Sequence, residues 1–211
     1  MKKALLLWTI FIGMIFSSIA QKGHFGFRAG AANAGYYGSD YGAAKSTQSI
    51  SPIWTPTVGV YVNSEINKYF WIKTEFNYVN RGYTHEQSGN TLRTNYYYVD
   101  VYPINPTFHF KGGQIFVGPT ISVLVASNKD TLIAGQVKKV SDTDLKGFNR
   151  YDIGVMAGIE YEFKFGVNVG VRMVRGFTSI KQPAEDTHIQ TQWFNQTFLI
   201  TAGYTLGKHQ K

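Results

Sequence analysis

Two polar segments carry residue types that could hydrolyse a substrate. His85, Glu86 and Ser88 lie within four positions of one another, and Asp186 and His188 share a second segment. A histidine beside a hydroxyl group or a water molecule can activate it as a nucleophile. The spacing does not impose that geometry, and polar loops contain such residues by chance. We therefore predict that the protein is not an enzyme, with a hydrolase at the rim of the fold as the least favoured alternative.

Metal and cofactor chemistry finds little support in the sequence. The chain has no cysteine, and its 5 histidines are dispersed without the spacing of metal ligands. The segment 142–144 offers two aspartates but lacks the ordered oxygen ligands of a calcium loop. A glycine-rich loop that could hold phosphate is also missing. We expect no cofactor and no metal site.

A different set of charged residues occupies alternate positions in apolar segments. In residues 151–163 the odd positions are apolar, whereas Asp152, Glu160 and Glu162 occupy even ones. Successive side chains of a strand point to opposite faces, so these charges share one face. Because a charge is expensive in lipid, that face must point into a barrel interior. The predicted interior polar network comprises Arg28, Lys73, Glu75, Arg81, Asp100, Asp152, Glu160, Glu162 and Arg172.

This network is open to two interpretations. An eight-stranded barrel is only wide enough for side chains to fill its interior, and buried charges persist only when they are paired. Paired charges that hold the interior together are the simpler interpretation. The alternative is a gated polar path across the membrane.

Eight segments share the two-residue alternation, and their connections alternate between short and long. Short turns and longer outer loops alternate in this way in outer-membrane barrels. We therefore predict an all-β fold, an eight-stranded antiparallel up-and-down transmembrane barrel with both termini on the periplasmic side. The predicted short turns are Asn67-Lys68, Lys111 to Gly113 and Lys164 to Gly166; the predicted long loops are Tyr36 to Pro52, Thr84 to Thr94, Ser127 to Phe148 and Ser179 to Gln190.

The fourth segment needs an irregularity. Pro103 and Pro106 cannot donate to a strand ladder. The apolar face also changes phase between Val99/Val101 and Phe108/Phe110. A bulge near Asn105 would accommodate both features. Aromatic residues near the predicted strand ends suggest girdles at the membrane interfaces, although strands of any kind favour aromatics. These residues are Trp54, Tyr69, Trp71, Tyr83, Tyr96, Tyr161, Trp193 and Tyr204.

Composition and the amino terminus agree with an exported barrel. The 211 residues suit one domain, only 16% of them are charged, and aromatics also make up 16%. The net charge of +8 is scattered, without the basic patch expected for nucleic-acid binding. Lys2 and Lys3 precede an apolar run too short to span a bilayer, followed by small residues. We predict a signal peptide over residues 1–20 and a barrel domain over residues 21–211.

Several segments resemble the PorT-like family, also described as porin-family proteins. The most specific match is residues 151–163, and the Gly118-Pro119 pair matches the family's fifth strand. The remaining similar segments are residues 26–33, 75–82, 97–103 and 170–180. The resemblance implies an eight-stranded barrel in the outer membrane of a Gram-negative bacterium, with a link to protein secretion in one member. The chain departs from the family at Gly207 to Lys211, which follow the expected terminal aromatic.

Four functions remain open from the sequence. The leading hypothesis is a structural or interaction barrel in the outer membrane, surrounded by lipid, whose outer loops contact other envelope proteins, with a secretion-related assembly as one setting. A narrow pore is the second, a rim hydrolase the third, and a soluble barrel with an apolar ligand the fourth.

Overall fold

The computed structural model describes residues 23–47, 49–87, 90–133, 136–142, 145, 147–182 and 192–206. The predicted signal peptide and the segment Gly207 to Lys211 lie outside these ranges. So do several loop residues that were considered for catalysis or metal binding, namely Ser88, Thr143, Asp144, Asp186 and His188.

Nine strands and one helix make up the described chain. The helix α1 follows the first strand and covers Ser39–Thr47. The strands are β1 (Gly23–Tyr37), β2 (Ser49–Glu65), β3 (Phe70–Gln87), β4 (Asn90–Phe110), β5 (Gly113–Ile133), β6 (Gln136–Asp142), β7 (Tyr151–Glu162), β8 (Val167–Ser179) and β9 (Phe194–Thr205).

Eight of these strands close into an antiparallel barrel, as predicted. Each of the eight pairs with its neighbour in the sequence, except that β5 pairs with β7 across the short strand β6. The first and last strands join at a regular ladder from Gly26↔Thr205 to Tyr37↔Phe194. Closure of this kind removes the free edges that would otherwise attract other strands.

Alternation of apolar and polar residues explains the wall of the barrel. On β7 the outward Ile153 and Ile159 are 61% and 56% exposed, whereas the inward Asp152 and Glu160 are 5% and 4% exposed. The same division runs around the other strands, so the outer face is apolar and the charges are inside. A wall of this composition matches hydrocarbon rather than water.

The loop boundaries differ from the prediction at the outer end of the barrel. The predicted loop Thr84 to Thr94 is strand on both sides, because β3 continues to Gln87 and β4 begins at Asn90. The predicted loop Ser127 to Phe148 contains the end of β5 and all of β6. These segments are rich in polar residues and lack a clear apolar alternation, so the sequence pattern did not mark them as strands.

The first predicted loop also differs from the structure, whereas the three short turns and the bulge agree with it. The predicted loop Tyr36 to Pro52 holds α1, and β2 already begins at Ser49. The three short turns lie where the sequence placed them, between β2 and β3, β4 and β5, and β7 and β8. The bulge near Asn105 is also confirmed, since the β3–β4 ladder passes from Lys73↔Asn105 directly to Glu75↔Tyr102.

Helices contribute little to this fold. Within the described ranges, no helix is both long and apolar enough to cross a membrane.

Candidate functional site: the filled lumen and the outer end

The inner half of the lumen holds an ion-pair cluster built from four strands, here called the inner ionic cluster. Glu160 accepts from Lys73 at 2.9 Å and lies 3.2 Å from Arg28 and 3.3 Å from Arg172. Glu75 is bound by Arg172 at 2.5 Å and lies 3.6 Å from Arg28. All five side chains are buried. Two carboxylates thus neutralise most of the charge of three cations, as burial of ions requires.

Aromatic rings and amides complete this cluster. The guanidinium of Arg28 lies 4.4 Å from the centroid of the Tyr61 ring, and Lys73 lies 4.9 Å from that of Phe116. Lys73 also donates to Gln114 at 2.8 Å, and Gln114 donates to Glu162 at 3.0 Å. The cations are therefore held by both carboxylates and ring faces.

An apolar layer lies above the inner ionic cluster. Along β3 the inward residues run from Glu75 through Val79 to Arg81, and along β7 from Glu160 through Met156 to Asp152. The charged clusters are therefore separated by side chains that cannot carry an ion. The layer consists of Ala32, Val79, Tyr102, Phe116, Met156, Val174 and Leu199.

A second polar cluster lies on the outer side of that layer. Arg81 donates to Asp100 at 2.6 Å, and Tyr102 donates to the same carboxylate at 3.1 Å. Asp152 accepts from Asn195 at 2.8 Å and from a backbone N–H of β8 at 3.1 Å. Two acidic groups and one arginine make this outer ionic cluster acidic overall.

An aromatic cap closes the lumen at its outer end. Trp193 packs edge-on against Tyr36 and Tyr41, with ring centroids 5.9 Å and 5.3 Å apart. Tyr41 belongs to α1, which brings it over the barrel, and burial raises the pKa of its hydroxyl. The buried members of the cap are Tyr36, Tyr41, Ile50, Tyr96, Tyr98, Leu124, Ile180 and Trp193.

The structure therefore places all nine residues of the predicted polar network inside the barrel, but divides them by height. Arg28, Lys73, Glu75, Glu160 and Arg172 come together, with Glu162 linked through Gln114. Arg81 and Asp100 form a separate pair, and Asp152 lies near them, hydrogen-bonded to Asn195.

The sequence did not reveal the apolar layer or the cap. Four of the aromatics assigned to membrane girdles are instead in the interior or at its mouth: three occupy inward positions of their strands, and the fourth directly precedes β9. They are Trp71, Tyr83, Tyr96 and Trp193. By contrast, Trp54, Tyr69 and Tyr161 are about half exposed on the wall. An inward phase shared with known interior charges, such as Tyr98 with Asp100, is the signal that could have identified the buried ones.

Part of the sheet projects beyond the barrel wall at the outer end. The ladder between β5 and β7 ends at Val123↔Tyr151, but β5 continues to Ile133. Over that length it pairs with β4 up to Thr91↔Leu132 and with β6 up to Ile133↔Gln136. At about 3.3 Å per residue the extension reaches roughly 30 Å along the strand. We call this extension the blade. It comprises residues 126–133 of β5, all of β6, and the paired residues 90–97 of β4 and 80–87 of β3.

The candidate catalytic residues lie on the blade near the end of β3 or outside the described ranges. His85 is on β3, opposite Ile50 of β2 and Leu92 of β4, and the next residue, Glu86, is exposed. Among the residues that the structure describes, no three histidine or acidic side chains form a group that could hold a metal ion.

An apolar wall, a lumen filled by side chains and short turns at one end define a membrane-spanning β-barrel. Residues 13–182 match the family described as outer membrane protein beta-barrel domain, and the chain belongs to that family. The protein is accordingly an outer-membrane protein. No curated protein sequence matched the chain.

Solved structures with this fold include three small barrels. Ail, the attachment invasion locus protein of Yersinia pestis, is 12% identical with a TM-score of 0.48, covering 87% of this chain and 99% of its own. Neisserial surface protein A is 11% identical with a TM-score of 0.45, covering 86% and 95%. The outer membrane enzyme PagL is 11% identical with a TM-score of 0.36, covering 85% and 98%. Such distant likeness shows the fold alone.

The presence of PagL corrects one prediction. We predicted that the protein is not an enzyme, and that exclusion was wrong, because the structures that share the fold include an outer membrane enzyme. The physical reason is that a barrel is a scaffold, and catalytic side chains can be placed on its wall or loops without changing its architecture.

Proposed function

We propose that this small outer-membrane barrel is an interaction protein whose blade contacts other envelope proteins. The observation that carries the proposal is the contrast between the two parts of the molecule. The lumen is filled at every level by paired charges, apolar side chains and the aromatic cap, whereas the blade extends the sheet well beyond the membrane wall. The outer end therefore offers a larger surface to another macromolecule than the short turns at the opposite end.

The filled lumen also bears on the rival function of a narrow pore. An ion that crossed the barrel would have to displace Val79, Met156 and their neighbours and then the rings of the cap. Purified protein in planar bilayers is expected to show no discrete conductance steps. Reproducible steps would support the pore and contradict the filled lumen.

A direct test of the blade uses site-specific photocrosslinking in intact cells. A photoreactive amino acid at Glu86 or Lys129, both on the blade, is expected to capture a defined set of envelope proteins. The matched control is the same amino acid at Asn67, in a short turn at the opposite end. Identical captured proteins at all three positions would contradict the proposal.

The setting we propose is an envelope assembly related to protein secretion. It is supported by the resemblance to the PorT-like family in residues 151–163 and 170–180. The measurement is secretion in a strain that lacks the gene, complemented either by the full chain or by a chain with the β5–β6 hairpin shortened. Normal secretion in the deletion strain would remove this setting but leave the blade interaction intact.

A further inference from the structure

Two exposed lysines lie in adjacent short turns on the rim of the barrel. Lys111 is in the β4–β5 turn and Lys164 in the β7–β8 turn, and both side chains are exposed. The backbone N–H of Glu162 donates to the carbonyl of Gly112 at 2.7 Å, which joins the two turns. Short turns of outer-membrane barrels are on the periplasmic side. The pair therefore lies at the level of the lipid headgroups of the inner leaflet.

The backbone at Lys111 is unusual for a lysine. Its φ is 47°, followed by Gly112 with φ 89°, so both central residues of this two-residue turn are left-handed. Asparagine and aspartate tolerate that conformation much better than a long side chain does. Backbone preference does not account for lysine at this position, which directs attention to its charge.

An apolar hollow begins at the same turn and crosses the outer wall. Its volume is about 1150 Å³, and Phe110 and Lys111 line one end. At the other end β1 contributes the outward Ala29 and Ala31, and β9 contributes Ala202 together with Ile200, whereas the neighbouring strands carry valine and isoleucine. The floor follows one row of paired residues: Gly113, Tyr161, Val169, Ala202 and Ala29.

The direction of this hollow follows from the tilt of the strands. Barrel strands are inclined by roughly 35–45° to the membrane normal, so a row perpendicular to them climbs obliquely across the membrane. The hollow accordingly runs from the headgroup level at Lys111 into the hydrocarbon region at Ala29 and Ala31. Two lysines at the entrance of an apolar hollow match the charged headgroup and the hydrocarbon chain of a phospholipid.

We propose that Lys111, Lys164 and the hollow bind one anionic phospholipid of the inner leaflet. The phosphate and the negative headgroup lie at the two lysines, and a hydrocarbon chain lies along the hollow over Ala202 and Ala29. Each basic residue near an anionic membrane surface contributes about 1 kcal/mol, which corresponds to about fivefold in association. Neutral phospholipids lack this net attraction and occupy the site no more tightly than the rest of the wall.

The test measures how strongly spin-labelled phosphatidylglycerol and phosphatidylcholine associate with the full chain in phosphatidylcholine bilayers. We expect wild type to prefer phosphatidylglycerol, and each of Lys111→Asn and Lys164→Gln to lower the preference about fivefold. Because asparagine suits the left-handed turn, Lys111→Asn should unfold at the same or a higher urea concentration, so its lost preference cannot be attributed to misfolding.

Two further variants separate a built site from general attraction. Lys68→Gln removes the same charge from the β2–β3 turn, away from the hollow, and should leave the preference unchanged. Ala29→Leu with Ala202→Leu fills the hollow without altering charge and should lower association of the phosphatidylglycerol probe. The proposal is overturned if wild type shows no preference, if Lys68→Gln acts like Lys111→Asn, or if filling the hollow has no effect.

Discussion

At the scale of single residues, Glu160 holds the most cations in the lumen. It lies within 3.3 Å of Lys73, Arg28 and Arg172, with a side chain that is 1% exposed. The three cations have only one other carboxylate within the inner ionic cluster, that of Glu75. Neutralising Glu160 would leave three buried cations with Glu75 as the one carboxylate of this cluster, so most of their charge would lose its compensation.

We therefore expect Glu160→Gln to lower the free energy of unfolding by about 3–5 kcal/mol, the cost of breaking a buried ion pair from one side. Urea unfolding in lipid bilayers, followed by tryptophan fluorescence, measures the change. Removing a cation as well, in Glu160→Gln with Lys73→Met, should recover part of the loss. Glu65→Gln, at the rim, is the control and should change stability little. Equal effects of the two glutamine variants would mean that the inner cluster does not hold the barrel together.

At the scale of elements, the seam between the first and last strands depends on close backbone approach. A Cβ atom on Gly30 of β1 would fall against the carbonyl oxygen of Ile200 and within 2.8 Å of the Cα of Thr201, both on β9. Backbone atoms cannot move aside as a side chain can. The seam therefore tolerates only glycine here, and any larger residue must push the two strands apart.

Gly30→Ala should accordingly destabilise the barrel by about 1–3 kcal/mol, the usual range for overpacking. The matched change is Gly42→Ala in α1, where a Cβ would meet nothing within 4 Å. Since alanine favours a helix over glycine, that variant should be neutral or stabilise by up to about 1 kcal/mol. Thermal unfolding of both variants in the same detergent compares them. A stable Gly30→Ala protein would show that the β1–β9 seam is not closely packed.

Elements also mark the limit of what the sequence can predict. The alternation of apolar and polar residues shows to which face of a strand each side chain points. Glu160 and Asp152 could therefore be assigned to the interior, and β7 could be recognised as a strand of the barrel wall. The alternation does not give height, so the separation of the two ionic clusters by Met156 and Val79 was not predicted. Nor does apolar alternation mark the polar outer ends of β3, β4 and β5 or the strand β6, so these segments were predicted as loops. The cap depends on α1 and Trp193, whose contacts cross the whole chain.

At the scale of the whole molecule, the fold separates three environments along one axis. The wall meets hydrocarbon, the lumen is filled by buried side chains, and the blade extends beyond the wall at the outer end. The same type of side chain therefore contributes differently to the free energy of unfolding at different heights along this axis. Exposure alone does not describe this, because a side chain on the wall and one in a turn can be equally exposed while facing different solvents.

The dependence of the cost of a charge on its depth in the membrane can be measured with two arginine substitutions at apolar sites of similar exposure. Val117, in the middle of the part of β5 that pairs with β7, is 52% exposed, and Ile66, in the β2–β3 turn, is 57% exposed. In a bilayer, Val117→Arg should cost about 2–4 kcal/mol because its charge faces hydrocarbon, whereas Ile66→Arg should cost about 0–1 kcal/mol at the interface. Urea titration of the two variants in phosphatidylcholine vesicles gives both values. Equal and small losses would place Val117 in water and contradict the inside-out arrangement, since exposed positions of a water-soluble protein accept arginine within about 0.5 kcal/mol.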